Sequence, residues 1–142
     1  MTAGAPTLTD ILVSYARRVR DGQELARRLG YLAASVEENI EDVTDFHAAV
    51  ETLIGSAPVS ESARRLNAVL TDHHRRLLQE TRRARNDLVY DFFIDYPVER
   101  SDGTVDEAAL ARAGAHLAAI DETLREAREL VDRLEVTVMS PT

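Results

Sequence analysis

The chain has 142 residues and a formal net charge of −8 at neutral pH. This length is typical of one domain that buries its own core, so we predict a single domain over residues 1–142, with disordered termini at about 1–6 and 137–142. There are no cysteines, which excludes thiolate zinc sites and cysteine nucleophiles. The negative charge excludes non-specific nucleic-acid binding by the whole surface, because phosphate binding needs a positive field.

The sequence also carries no membrane or export signal. No apolar run approaches the roughly 18–20 residues of a membrane span. The N-terminal stretch MTAGAPTLTD has neither the basic region nor the apolar core of a signal peptide. We therefore expect a cytoplasmic protein without membrane contact. All 17 basic residues are arginine, which a GC-rich coding bias explains more simply than selection against lysine modification.

Apolar or small residues recur at steps of three and four from Leu8 to Ile54, which is the period of an α-helix. One unbroken helix of that length would be about 70 Å long at ~1.5 Å per residue, too long for a domain of this size. Asp21-Gly22 is the preferred position for a break, and Gly30 is the alternative. We predict a short helix over about 8–20 and a longer one over about 23–55.

The rest of the pattern predicts two more helices. The stretch Gly55–Ser60 is typical of a turn, with a glycine after the last helical residue and a serine that can cap the next helix. A third helix runs from Ser60 until Pro97 ends it. Thr104–Glu107 matches a capping box for a last helix that runs to about Glu135. The sequence therefore predicts an all-α, up-and-down antiparallel bundle of about four helices.

Opposite charges concentrate on the predicted second and third helices. Residues 37–51 contain six acidic and no basic residues, whereas residues 64–85 contain seven arginines and two acidic residues. The simpler interpretation is that the two strips pair, with Glu51 near Arg64–Arg65, although exposed ion pairs each contribute only about 0–1 kcal/mol. The alternative is a basic strip for phosphates at the end away from the turn. There we predict RNA contacts by Arg82, Arg83, Arg27 and Arg28.

The four histidines do not predict a metal site. Di-iron sites in bundles place a glutamate three residues before a histidine on two helices. The residues at that spacing here are Thr44, Leu70, Thr71 and Ala113. His47 and His73 lie on apolar faces, and folding the hairpin would place His73 near Asp42, so paired core histidines are the simpler interpretation. We predict no metal and no cofactor.

The stretch RNDLVYDFF, Arg85 to Phe93, lies near the end of the third helix. It resembles the hallmark motif of the HEPN superfamily, in which arginine and a polar residue, often asparagine, are followed after a few residues by histidine. Arg85 and Asn86 match the start of the motif, and Tyr90 occupies the position of the histidine. HEPN proteins are helical bundles, and many are RNases in toxin–antitoxin, CRISPR and phage-defence systems.

The resemblance implies a homodimer whose site, at Arg85, Asn86 and Tyr90, forms where two copies meet. In such a site arginine stabilises charge on the phosphate and histidine moves protons near neutral pH. Tyrosine has an ordinary pKa of about 10, so a degenerate site is favoured over an active, metal-independent endoribonuclease. Positions 85 and 90 are also about 140° apart around an ideal α-helix. On the facing helix, Gly30 would lie beside Arg85 and Glu24 near Tyr90.

The sequence leaves two functions open. The first is a HEPN-like toxin–antitoxin or phage-defence component that binds RNA or a cognate protein partner at a dimer groove. The second is a helical adaptor or regulatory protein that acts only through protein–protein contacts. In the second, Tyr90, Phe92 and Phe93 are packing residues of the core or of a dimer interface. Internal pairing of all the arginines would favour the second function.

Overall fold

The computed structural model describes residues 5–36, 45–54 and 61–139, with only the backbone at 61–63. The helices of these residues are α1 Leu8–Val36, α2 Phe46–Ile54, α3 Glu61–Val69, α4 Asp72–Asn86, a π-helical turn Asp87–Asp91, α5 Phe92–Asp95 and α6 Glu107–Met139. The extended pairing found among the described residues is an isolated bridge between Glu99 and Val105. The predicted all-α class and the bundle of about four helices are confirmed.

Three long helices form the frame of the bundle and run up, down and up. α1 and α6 run in the same direction, because the ion pairs Arg18–Asp121 and Arg28–Asp132 lie progressively further along both helices. α4 runs the opposite way, with its start near the end of α6 and its end near the start of α6. The shorter α2 lies against α1 and α4.

A cluster of buried apolar side chains fills the space between these helices. Leu25 of α1, Leu78 of α4 and Leu124 of α6 are fully buried at its centre. Burial of such a side chain contributes roughly 1.5–3 kcal/mol, so this shared core fixes the faces that α1, α4 and α6 present to each other. Within the described ranges, none of the helices has an apolar stretch of the length needed to cross a membrane.

The predicted helix break at Gly22 or Gly30 is wrong, because α1 is continuous from Leu8 to Val36. Both glycines are buried inside this helix. Each glycine costs about 1 kcal/mol relative to alanine, and the packing of an amphipathic helix of this length offsets that cost. Glycine was therefore a poor indicator of a break in a helix that is held by its neighbours.

The predicted single helix over 23–55 is also wrong. α1 ends at Val36, and α2 starts after Asp45, whose carboxylate accepts a hydrogen bond from the amide of Ala48 (3.0 Å). Aspartate is a strong N-cap because it satisfies an amide that has no partner within the helix. Residues 37–44 and the predicted turn at 55–60 lie outside the described residues.

The predicted third helix is divided at Leu70–Thr71. The Thr71 hydroxyl accepts a hydrogen bond from the His74 amide (3.1 Å), and Nδ1 of His74 accepts one from the Thr71 amide (3.2 Å). This is a capping box in which histidine takes the place usually held by glutamate or glutamine. The apolar period continues across the division, so the period alone did not reveal it.

α6 begins at Glu107, but the predicted capping box at Thr104 is wrong. Asp106 caps the helix by accepting a hydrogen bond from the amide of Ala109 (3.1 Å), and this bond lowers the pKa of Asp106. The Thr104 hydroxyl instead donates to Asp102 (2.6 Å) within the preceding loop. α6 continues to Met139, four residues beyond its predicted end. Residues 1–4 and 140–142 lie outside the described residues.

The charged strips do not pair in the predicted register. Glu51 of α2 pairs with Arg82 of α4 (2.9 Å) rather than with Arg64–Arg65 of α3. The reason is the division of the third helix, since α3 and α4 are separate helices and α2 lies alongside the second half of α4. The acidic residues at 37–42 lie outside the described residues.

Candidate functional site

The motif residues lie where α4 passes into the π-helical turn. Arg85 is in the last turn of α4, and Tyr90 is in the π-helical turn. The hydroxyl of Tyr15 on α1 donates to the carbonyl oxygen of Leu88 (2.7 Å) and ties this turn to α1. π-Helical turns are rare and frequently lie at functional sites. Because this turn is wound more widely than an α-helix, the 140° separation predicted for positions 85 and 90 does not apply.

Arg85 is half-buried between α4, α1 and α2. Its stem lies beside Gly22, where an added Cβ would be 3.7 Å from Cγ of Arg85, and its guanidinium lies 5.5 Å from the ring centroid of Phe46. Nε of Arg85 is buried without a hydrogen-bond partner, and no carboxylate of the described residues pairs with the side chain. The terminal guanidinium nitrogens of Arg85 also have no hydrogen-bond partner among the described residues, and the side chain lines an open groove, so these nitrogens retain bonding capacity for an external anion.

A groove of about 430 Å³ runs beside Arg85. Its lining residues are Arg20, Gln23, Glu24, Ala26, Arg27 and Arg85. Three guanidinium groups and one carboxylate give this groove a positive field, although the whole chain carries a net charge of −8. Arg20 also lies 3.4 Å from the buried carboxylate of Asp21. Arg27 is exposed and has no hydrogen-bond or carboxylate partner among the described residues.

The helix that faces Arg85 is in a different register from the predicted one. We expected Gly30 beside Arg85, but Gly22 takes this position, about two helical turns earlier. Glu24, which we expected near Tyr90, lines the groove together with Arg85. The predicted register counted outwards from the turn at 55–60 along two unbroken helices, and both of these stretches are divided, the first into α1 and α2 and the second into α3 and α4.

Arg27 and Arg28, both predicted to contact RNA, have different surroundings. Arg28 pairs with Asp132 (2.6 Å) and Glu135 of α6, and the hydrogen bond to Glu135 raises the pKa of Arg28 above its ordinary value. Successive residues of a helix are about 100° apart, so Arg28 faces α6 whereas Arg27 lines the groove beside Arg85. Arg27 joins the candidate site and Arg28 does not.

Arg82 and Arg83, the other two predicted RNA contacts, also lie outside the groove. Arg82 pairs with Glu51 and contacts Nδ1 of His47 (2.9 Å). Arg83 is exposed and lines a separate cavity between α4 and α6. The positive surface is therefore smaller than the run of arginines in the sequence indicates.

Asn86 and Tyr90 do not line the groove with Arg85. Asn86 is exposed, Tyr90 is 70% exposed, and neither side chain has a hydrogen-bond partner in the described part of the chain. Phe92 is only 1% exposed and belongs to the core, and Phe93 lies against Tyr15 with the ring centroids 4.7 Å apart. Packing in the core therefore explains Phe92, but it does not explain Tyr90.

A histidine–carboxylate pair that no sequence pattern indicated lies on the other side of α4. Nε2 of His116 on α6 lies 2.6 Å from Oδ2 of Asp87 in the π-helical turn. Asp87 follows Arg83 by four residues, a spacing that places both on one face of a helix, and both line the cavity between α4 and α6. That spacing was visible in the sequence, but nothing in it indicated which histidine would face this pair.

The remaining histidines contact protein groups. His47 contacts Arg82, and His74 caps α4. The predicted proximity of His73 to Asp42 involves a residue outside the described ones. Within the described ranges, no group of three or more His, Cys, Asp or Glu side chains is arranged to hold a metal ion.

Comparisons of this chain with protein-family models, with curated proteins and with solved structures found no match. The resemblance to HEPN proteins therefore rests on residues 85–93 and on the helical layout, and HEPN membership stays a prediction. The groove beside Arg85 and the cavity between α4 and α6 are the features that bear on function.

Proposed function

We propose that this chain is a cytoplasmic, HEPN-like helical protein that binds single-stranded RNA through the groove at Arg85. The observation that carries the proposal is the guanidinium of Arg85, which has no carboxylate partner among the described residues and lies beside Arg20 and Arg27. Guanidinium groups suit phosphate because their planar forks form paired hydrogen bonds with its oxygens.

The spacing of the arginines favours a chain of phosphates over one small anion. Arg20 and Arg27 are seven residues apart on α1, which corresponds to about 10 Å at ~1.5 Å per residue. Several phosphates in a row can engage both of them and Arg85, whereas one small anion cannot span this distance. The exposed ring of Tyr90 adds a surface on which an unpaired base can stack, which favours a single strand over a duplex.

The proposed biological role follows the resemblance, which places such proteins in toxin–antitoxin or phage-defence systems. The resemblance also implies a homodimer, and a second copy would cover the exposed apolar residues of the π-helical turn and α5. These are Val89, Tyr90, Phe93 and Ile94, of which Ile94 is 77% exposed. The solution mass, measured by sedimentation equilibrium, reports whether two copies associate.

The proposal is tested with a fluorescent single-stranded RNA of mixed sequence, whose binding is measured at several salt concentrations. Arg27→Ala should weaken binding about 10- to 100-fold, because a hydrogen bond to a charged group contributes about 1.5–3 kcal/mol. It should also make the slope of log K for RNA binding against log salt concentration less steep by about 0.7, because one phosphate contact is lost. Arg27 is exposed, so its removal leaves the core intact.

Arg28→Ala is the matched control for Arg27→Ala. It removes the same charge one residue away, but from a side chain that is engaged with Asp132 and Glu135. RNA binding by this variant should stay within about twofold of the unchanged protein. An equal loss in both variants would mean that net charge rather than the groove retains RNA, and unchanged protein that retains no RNA would overturn the proposal.

A second candidate function is a helical adaptor that contacts only proteins. The exposed apolar residues at 89–94 favour it, since such surfaces often mark protein interfaces. Complete internal pairing of the arginines would also have favoured it, but Arg27 and Arg85 have no carboxylate partner among the described residues. The groove therefore gives RNA binding the stronger support.

A further inference from the structure

A second groove, of about 510 Å³, lies at the opposite end of α4 from Arg85, between the end of α3, the first turn of α4 and the last turns of α6. We call it the His74 groove. Leu130 and Leu134 in its lining belong to the buried core, whereas Val69 and Val136 are exposed. The other lining residues are Asp132, Arg133 and Thr137. Sites for small molecules have this character, with volumes of about 300–1,000 Å³, a mainly apolar lining and a few polar groups.

The ring of His74 is oriented by the cap of α4. The amide of Thr71 donates to Nδ1 (3.2 Å), so the neutral ring carries its hydrogen on Nε2. Burial and the charge of Arg133 lower the pKa of His74, which keeps the ring neutral at pH 7. Nε2 lies 3.5 Å from a terminal guanidinium nitrogen of Arg133. Because both nitrogens carry hydrogens, His74 cannot serve as an acceptor for Arg133.

The guanidinium of Arg133 therefore lacks an acceptor among the described residues. Asp132 lines the same groove, but its carboxylate pairs with Arg28 (2.6 Å). Arg125, two turns earlier on α6, pairs with Glu122 and Glu129. The His74 groove thus combines an apolar surface with a cation that no carboxylate of the described residues neutralises.

We propose that the His74 groove binds a small amphiphilic anion, namely an acyl chain that ends in one carboxylate. The carboxylate lies on Arg133, whose planar guanidinium can donate two parallel hydrogen bonds to its oxygens. The acyl chain lies on Val69, Leu130 and Val136, and it is favoured because apolar surface is removed from water on both sides. This inference goes beyond RNA binding and does not depend on it, since the Arg85 groove is at the other end of α4.

The composition of the His74 groove favours a single negative charge over a polyanion. Arg133 is the arginine in its lining, and the carboxylate of Asp132 beside it opposes further negative charge. The lining residues of α6 run from Leu130 to Thr137, a rise of about 10 Å at ~1.5 Å per residue. That length suits an acyl chain of medium length.

The size of the His74 groove also favours a small molecule over a second copy of the chain. Eight described residues line it, whereas a stable protein interface takes about 20–30 residues from each partner. A small ligand can be enclosed by such a lining, because clefts bury most of the surface of the molecules that they bind.

Calorimetric titration of the full chain with decanoate, below its micelle concentration, tests the inference. We expect one binding site per chain. Decanol has the same chain without the charge and should bind at least tenfold more weakly, as expected for loss of a hydrogen bond between charged groups. Acetate has the charge without the chain and should give no measurable binding.

Arg133→Gln locates the charge. It should weaken decanoate binding about 10- to 100-fold, and the side chain is exposed, so the core stays intact. Arg125→Gln is the matched control, because it removes the same charge from the same helix at a residue outside the lining of the groove. It should change decanoate binding less than twofold.

Val136→Ser locates the acyl chain. Val136 is 65% exposed, so its removal does not disturb the core. Decanoate binding should weaken about fourfold, as expected for loss of one methylene of apolar contact. The two variants together separate the charged end of the site from the apolar end.

The outcomes separate this inference from the proposed function. Binding of decanoate by a protein that retains no RNA would support the inference and overturn RNA binding alone. No uptake of decanoate, equal affinity for decanol, or an equal loss in Arg133→Gln and Arg125→Gln would overturn the inference and leave RNA binding standing. A doubled solution mass that Val136→Ser reduces would assign the His74 groove to a second copy and overturn the inference as well.

Discussion

Arginines along the seam between α1 and α6 meet carboxylates, whereas Arg85 and His74, near the two ends of α4, have no carboxylate partner among the described residues. In the seam, Arg18 lies between Asp21 (3.3 Å) and Asp121 (2.8 Å). Arg28 lies further along, between two carboxylates of α6. These ion pairs join α1 to α6.

The ends of α4 use similar side chains differently. At its C-terminal end, Arg85 lies against the ring of Phe46 and has no carboxylate partner among the described residues. At its N-terminal end, Nε2 of His74 lies 3.5 Å from the guanidinium of Arg133. An ion pair within the protein neutralises an arginine. Arg85 has no such pair among the described residues and is available to a ligand, whereas the protonation of His74 depends on pH. The difference teaches that a count of arginines says little about binding until their partners are known.

We expect the largest effect, a loss of folding stability, for a substitution in the seam. Arg18→Ala should lower the free energy of unfolding by about 3 kcal/mol, because it removes one of the two arginines beside the buried carboxylate of Asp21 together with the ion pair to Asp121. Arg28→Ala should cost only about 1 kcal/mol, since its partners Asp132 and Glu135 stay hydrated. Urea denaturation of the two variants measures both values.

A second substitution tests the reason given for Arg18. Arg18→Ala combined with Asp21→Asn removes the charge that would otherwise be left buried, so the pair should recover part of the lost stability. If Arg18→Ala is as mild as Arg28→Ala, then Arg20, 3.4 Å from Asp21, compensates fully. The seam would then contribute no more than surface ion pairs do.

The next effect concerns the N-terminal end of α4 and depends on pH. Burial and the positive charge of Arg133 lower the pKa of His74, so the folded state favours the neutral ring, which accepts the hydrogen bond of the Thr71 amide. The unfolded chain binds a proton on this residue near pH 6.5, and therefore binds more protons than the folded chain just below that pH. Stability should be complete above about pH 6.5 and should decrease as the pH falls through this window.

The control for this prediction is His74→Gln. Glutamine at this position makes the same reciprocal bond of a capping box and does not titrate. Thermal unfolding followed between pH 7.5 and 5 should show a smaller loss of stability on acidification in the variant, by about 1 kcal/mol if the cap is lost entirely on protonation. Identical pH dependence in the two proteins would assign the acid sensitivity to other groups. His73 and Arg75 also lie near this ring.

Much of the helical layout could be predicted, because helical period is a local property of the sequence. The spacing of apolar residues identified most of α1, α4 and α6. The breaks could not be predicted in the same way, because Gly22 stays helical only through contacts with other helices. The division at Thr71 depends on a histidine in an unusual capping role.

The site could be predicted only in part, for the same physical reason. Arg85 and Arg27 were both identified, and the structure brings them to one groove. The partners of Arg28 are more than a hundred residues away in the chain, on α6, and no local pattern indicates such a pairing. The approach of His116 to Asp87 likewise depends on how α6 lies against the π-helical turn.

The smallest expected effect lies at Gly22, which follows Asp21 of the seam and faces Arg85 of the groove. Glycine within a helix costs about 0.5–1 kcal/mol relative to alanine. A Cβ at this position would be 3.7 Å from Cγ of Arg85, which is an ordinary van der Waals contact. Gly22→Ala should therefore raise the free energy of unfolding by about 0.5–1 kcal/mol and leave RNA binding unchanged.

A larger side chain at the same position supplies the contrast. Gly22→Leu places atoms where the stem of Arg85 lies, so it should lower stability and weaken RNA binding together. If Gly22→Ala already weakens RNA binding, Arg85 must approach α1 more closely when RNA is bound than it does in this structure. Gly22 would then be needed for RNA binding at the groove, although it destabilises α1, and this one residue would link the seam to the groove.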